Sequence, residues 1–136
     1  MPAGRGVVLS TFVKWVESMA IQAIHRNARI SSRKVRLVAD LVRGKYADEA
    51  LDILKYQPQR GARMLEKVLR SAVGNAADPL QNNGRSYRIE DLVVTNVQVG
   101  GGPMFKRVRP MARGMAFMVR KRSSHITVGL SPIDEI

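Results

Sequence analysis

Residues 92 to 130 read LVVTNVQVGGGPMFKRVRPMARGMAFMVRKRSSHITVGL, and the spacing of apolar residues changes where this stretch begins. Upstream, they recur at helical intervals; from Asp91 onward they alternate. Val93, Thr95, Val97 and Val99 point one way and Leu92, Val94, Asn96 and Gln98 the other, which predicts a strand. Ile126, Val128 and Leu130 alternate with Thr127 and Gly129 and predict a second. Between the two, Gly100-Gly101-Gly102-Pro103 permits a bend or bulge, and Arg109-Pro110 with Arg113-Gly114 marks a turn. A turn centred on 110–113 sets Val99 opposite Ser124 and Leu92 opposite Leu130. Each arm beyond the glycines has about nine residues, so at about 3.3 Å per residue the ribbon should project on the order of 30 Å.

Charge is segregated on the same stretch. The 136-residue chain carries 23 Lys and Arg against 11 Asp and Glu, a net +12. Between Leu92 and Ile133 there is no acidic residue, while Lys106, Arg107, Arg109, Arg113, Arg120, Lys121 and Arg122 all fall there. An acid-free cationic block is the footprint of a phosphate-binding surface. A two-stranded arm also buries too little apolar surface to hold itself in water. With Met104, Phe105, Met111, Met115, Phe117 and Met118 interleaved among its cations, it is expected to lie against a nucleic acid that supplies counter-charge and fills its gaps. An ordinary sheet with those methionines in its core is the competing reading; an Arg-Lys-Arg run in mid-strand speaks against it.

The first half predicts helices. Ser31 is placed as an N-cap, its hydroxyl accepting an orphan N–H. From Ser32 to Arg43, Val35, Leu37, Val38, Ala39, Leu41 and Val42 fill a wide apolar arc, with Arg33, Arg36 and Arg43 opposite beside Asp40 and Gly44 as the stop. Tyr46 to Tyr56 reads as a short helix closed by Pro58. A third spans 60–77, with Ala62, Leu65, Val68, Leu69, Ala72, Val73 and Ala76 in one stripe and Arg63, Lys67 and Arg70 behind. Residues 20–30 are ambiguous, leaning to β near Ile30. Residues 8–20 place Val8, Phe12, Trp15, Val16 and Met19 on one side of a predicted amphipathic helix.

Composition removes whole classes of function. With no cysteine there is no disulfide, no thiol nucleophile and no Cys-based zinc site. His25 and His125 lie in different segments without neighbouring acids, and Ser123-Ser124-His125 has no third member. No His-x-x-x-His, Gly-x-Ser-x-Gly or P-loop spacing occurs. Neither an enzyme nor a cofactor is expected. No apolar run reaches the roughly 18 residues that span a bilayer. Arg5 and the apolar stretch 6–13 resemble a weak signal peptide, but Lys14 and Glu17 interrupt it, so a cytoplasmic location is expected. Besides RNA, two partners suit a basic ribbon: DNA bent by a Pro110 or Met111 wedge in the minor groove, or an acidic protein.

Three blocks decide among them: Ala28 to Lys45 (ARISSRKVRLVADLVRGK), Ala50 to Leu54 (ALDIL) and Arg120 to Val128 (RKRSSHITV). In this order and spacing the chain resembles the bacterial large-subunit ribosomal protein 22 family from about Met19 to Leu130. The resemblance implies an α+β fold: three helices packed on a small three-stranded antiparallel sheet, with a long protruding β-hairpin at about 100–125. It also implies one ribosomal-protein domain over 19–136, preceded by a helical extension at 1–18. Implied partners are 23S ribosomal RNA, neighbouring large-subunit proteins and the nascent peptide, with neither membrane nor DNA. The implied RNA contacts are Arg26, Arg29, Arg33, Lys34, Arg36, Lys106, Arg107, Arg109, Arg113, Arg120, Lys121 and Arg122. The implied tip, lining the peptide exit tunnel, is Pro110, Met111, Ala112, Arg113 and Gly114. Two departures stand out: Met111, Met115 and Met118 where arginine is usual, giving a more apolar tip, and Ser32 where proline is frequent.

Overall fold

The computed structural model describes residues 21–133, so the expected helix at 8–20, the extension at 1–18 and the three C-terminal residues lie outside it. The order of elements is β1 (Gln22–Ala28), α1 (Ser32–Val42), α2 (Ala47–Tyr56), α3 (Arg60–Ala77), β2 (Leu92–Pro110) and β3 (Ala116–Pro132). Short 3-10 turns occupy Ile89–Asp91 and Ala112–Gly114. The class is α+β: three helices and one antiparallel sheet in the order β1-β3-β2. Within the ambiguous stretch the β lean near Ile30 is met by β1, which ends at Ala28; Ile30 itself follows the strand and is buried in the core.

The helices share one face of the sheet. The α3 stripe is buried as read at Ala62, Leu65, Val68, Leu69, Ala72 and Ala76. It meets Val35, Val38, Ala39 and Val42 of α1, Ala47, Ala50 and Leu54 of α2, and Val97, Ile126, Val128 and Leu130 of the sheet in one core. The α1 arc is narrower than predicted. Leu37 is 73% exposed and Leu41 is also open to solvent, since a helix lying on one layer buries only a stripe of its surface. Ser31 does precede α1, but its hydroxyl makes no capping bond; its carbonyl accepts from Lys34 and Val35 instead. Gly44, at φ +77, ends the helix and turns its N–H onto the Val94 carbonyl.

The strict alternation expected of β2 breaks at one place. Val94 pairs with Leu130 but Asn96 pairs with Gly129, so Thr95 is an extra residue in the ladder. Leu92 and Val94 before the bulge, and Val97 and Val99 after it, therefore all reach the core. A second extra residue lies between Gly101 and Met104, within the Gly-Pro stretch. Register differs from expectation by two residues: Val99 faces Ile126 and Leu92 faces Pro132. The turn moves the register by three residues, and the Gly101–Met104 bulge takes one back. The turn takes five residues, 111–115, and centres on Arg113, which joins Gly114 at positive φ.

The β1–β3 pairing stops at Ala28↔Ser124, whereas β2 and β3 stay paired from Met104↔Arg122 to Pro110↔Ala116. Among the described residues these seven pairs have no third strand and no helix over them, and nearly every residue in them is exposed. At about 3.3 Å per residue they make about 20 Å of ladder before the turn. Met104, Phe105, Val108, Met111, Met115, Phe117 and Met118 are all on the surface. The reading that puts these methionines in a core is excluded.

Candidate nucleic-acid interface

Pairing register sorts the side chains of this ribbon between two faces. Alternation puts Pro103, Phe105, Arg107 and Arg109 with their neighbours Phe117, Val119 and Lys121 on one face. Met104, Lys106 and Val108 with Met118, Arg120 and Arg122 take the other. Each face thus carries three cations, and no acidic residue lies anywhere on the ribbon. The phenylalanines are all on the first face and the strand methionines all on the second. Arg107 places its guanidinium 5.7 Å from the centroid of the Phe105 ring and donates from Nη1 to the Lys106 carbonyl at 3.1 Å.

The base of the ribbon is closely fitted. A Cβ on Gly102 would lie 2.8 Å from Ser123 Oγ and 3.3 Å from the His125 ring. The Ser123 hydroxyl donates to the Pro103 carbonyl, and Asn27, at φ 58 in the β1 bulge, donates its N–H to His125 Nδ1 at 3.1 Å. His125 is therefore a packing and hydrogen-bonding residue that ties the edge strand to the root of the arm.

Arg36 of α1 and Arg43, the residue just after α1, fix the helix over that root. Arg36 donates from Nε (3.1 Å) and Nη2 (3.0 Å) to the Val99 carbonyl. Arg43 does the same to Val97 (3.2 and 2.7 Å) and pairs through Nη1 with Asp40. A planar guanidinium suits this forked bond as well as it suits a phosphate. Arg36, expected among the RNA contacts, has its fork directed at its own β2 strand.

Beside them opens a cleft of about 1090 Å³ between ribbon and body. Its body wall carries Asn27, Arg29, Ser31, Lys34 and Arg60; its ribbon wall carries Phe105, Arg107, Val119, Arg120, Lys121 and Arg122. Of the residues expected to touch RNA, six meet here: Arg29, Lys34, Arg107, Arg120, Lys121 and Arg122. Arg26 on β1 and Arg33 on α1 are exposed outside the cleft lining. Lys106 is on the opposite ribbon face, and Arg109 and Arg113 lie further out, Arg113 at the turn with Pro110, Met111, Ala112 and Gly114. Arg60 is absent from the sequence expectations. Its signal was there: it is the first residue of α3, where no acidic side chain stands in the first turn and a cation opposes the helix dipole. Among the described residues seven cations line the cleft and no acid does, so its field is set for a polyanion. Among the described residues no cluster of His, Asp or Glu could hold a metal ion, and no helix is long and apolar enough to cross a membrane.

Comparison with known proteins identifies this architecture. Residues 23–131 match the family model for ribosomal protein L22p/L17e. That span runs from β1 to Ser131 near the end of β3 and includes the three described helices, the ribbon and the cleft. The chain belongs to this ribosomal protein family. Among its relatives is the large ribosomal subunit protein uL22 of Rhodopirellula baltica, 75% identical over 114 residues, which is 84% of this chain and 96% of the relative. Another is the protein of the same name from Caldicellulosiruptor saccharolyticus, 51% identical over 105 residues, 77% of this chain and 82% of that one. Family membership makes the role structural and not enzymatic.

Proposed function

We propose that this chain is a structural constituent of the large ribosomal subunit in the cytoplasm that binds 23S ribosomal RNA and supports subunit assembly. In this reading residues 19–136 form the ribosomal domain and 1–18 an extension. Neighbouring large-subunit proteins surround the body. The turn at Pro110, Met111, Ala112, Arg113 and Gly114 lines the nascent-peptide exit tunnel, with methionines making its wall more apolar. The carrying observation is the ribbon: three cations on each face, no acid, and, among the described residues, no strand or helix packed on either side. A strand pair that thin is stabilised when polyanion lies against both faces. Two-sidedness favours threading between RNA segments over resting on one. A-form RNA hides base edges in a narrow major groove, so such an arm follows crevices and shape more than sequence.

Contacts are assigned to Arg26, Arg29, Arg33, Lys34, Lys106, Arg107, Arg109, Arg113, Arg120, Lys121 and Arg122, with Arg60 added. Arg36 acts through the Val99 carbonyl. The test is incorporation of the Lys106→Ala/Arg107→Ala/Arg109→Ala chain into large subunits at moderate salt. Reduced incorporation is expected; full incorporation counts against the arm. Nuclease treatment of a lysate separates partners, since an acidic protein partner survives it and an RNA partner does not. For the tip, a photo-crosslinker at Met111 should capture stalled nascent peptide in purified ribosomes.

A further inference from the structure

We infer that the cleft between ribbon and body holds an unpaired turn of RNA, with one extruded base stacked on Phe105 and its flanking phosphates held between Lys121 and the Arg60–Lys34 wall. This rests on the RNA-binding reading and adds what kind of RNA lies there. The cleft, at about 1090 Å³, has room for a few nucleotides; it is only slightly larger than pockets that enclose one drug-sized molecule. Its cations face each other across the gap from two elements of the body and both strands of the ribbon. That arrangement grips one backbone from two sides, whereas a duplex needs a broad open surface.

Phe105 is what phosphate binding alone leaves unexplained. It is 55% exposed on the cleft face, where a lysine or serine would be better hydrated. The Arg107 guanidinium sits over it at 5.7 Å from the ring centroid, and Lys121 is its direct neighbour across the ladder. A base stacked on the ring therefore has its own phosphate within reach of Lys121. The other aromatic residue of the ribbon repeats the device: Phe117 pairs with Arg109 on the same face, beyond the cleft. The opposite face carries methionines and cations without an aromatic ring.

The full chain and its variants are titrated against two 2-aminopurine-labelled stem-loop RNAs that differ only in whether the 2-aminopurine is paired or bulged, and against transcribed large-subunit RNA. The wild type should bind the bulged stem-loop at least fivefold more tightly than the paired one and quench its fluorescence. Phe105→Ala should lose about five- to hundredfold on the bulged probe alone, as expected for one stacked base, with the quench abolished. Phe105→Trp should retain both. Arg60→Ala should weaken the bulged probe more than the paired one while the bound probe is still quenched, and Phe117→Ala should keep the quench. Unchanged thermal unfolding of each variant shows that the body is intact. Equal binding of the two stem-loops, or a quench that survives Phe105→Ala, overturns the inference while leaving RNA binding in place. Failure of the wild type to bind even the large-subunit RNA overturns the RNA-binding reading and this inference with it.

Discussion

The body and the ribbon are made from the same two strands and held by opposite means. Within the body, β2 and β3 bury Leu92, Val94, Val97, Val99, Ile126, Val128 and Leu130 under three helices. Its arginine forks close on its own carbonyls: Arg36 on Val99, Arg43 on Val97. Past Met104 the ladder continues in unbroken register, yet Phe105, Val108, Phe117 and Met118 bury little, and the cations have no acid among them to pair with. Backbone pairing keeps the ribbon in register; among the described residues no strand or helix packs on it. One strand pair thus holds a finished half and a half that calls for a partner, and the border is the Gly101–Met104 bulge.

That contrast can be broken from either side. Leu65→Ala, at a fully buried position, should cost about 2–5 kcal/mol in urea unfolding and leave the salt dependence of RNA binding unchanged. Lys106→Ala/Arg107→Ala/Arg109→Ala should do the reverse. Three lost phosphate contacts make the log–log salt slope shallower by about 2 and weaken binding by about fiftyfold at physiological salt, while stability stays within about 0.5 kcal/mol. Arg36→Ala sharpens the boundary. It should destabilise by about 1–2 kcal/mol through the lost fork, with only a small effect on affinity, and lysine should not restore it; a purely RNA-contacting Arg36 predicts the opposite pattern. The smallest effects belong to the root glycines. Gly102→Ala must displace Ser123 Oγ and the His125 ring and should cost about 1 kcal/mol, seen as faster amide exchange at Asn27. Gly100→Ala meets nothing within 4 Å and should stay within about 0.5 kcal/mol.

The sequence is most informative where a periodic pattern and a packed neighbour agree. The α3 stripe gives the helix from Arg60 to Ala77 and its buried face together. Patterning fails where tertiary contact decides. Six apolar residues over Ser32–Arg43 exceed what one flank of a helix can bury, so Leu37 and Leu41 are left outside. The Thr95 bulge escapes a rule of strict alternation, although its trace is visible in the adjacent polar pair Thr95-Asn96 between two apolar couples. The five-residue turn shifts register because Arg113 takes positive φ, a conformation its residue type does not advertise. At the interface, arginines on one helix face look alike in sequence. Only geometry separates Arg36, bonded to Val99, from Lys34, which opens on the cleft. Arg60 could have been noticed as a cation at the wrong end of a helix dipole.

The sheet order has a consequence for how the molecule comes into being. β3, latest of the strands to be synthesised, lies between the other two, and the Asn27–His125 bond joins residues 98 positions apart. During translation β1 and β2 are both made before the strand that separates them, so their edges wait unpaired while the helices condense. Closure of such distant partners is slow and leaves sticky intermediates exposed. Swift capture of the cationic arm on its polyanion would then protect a nascent chain whose keystone arrives late.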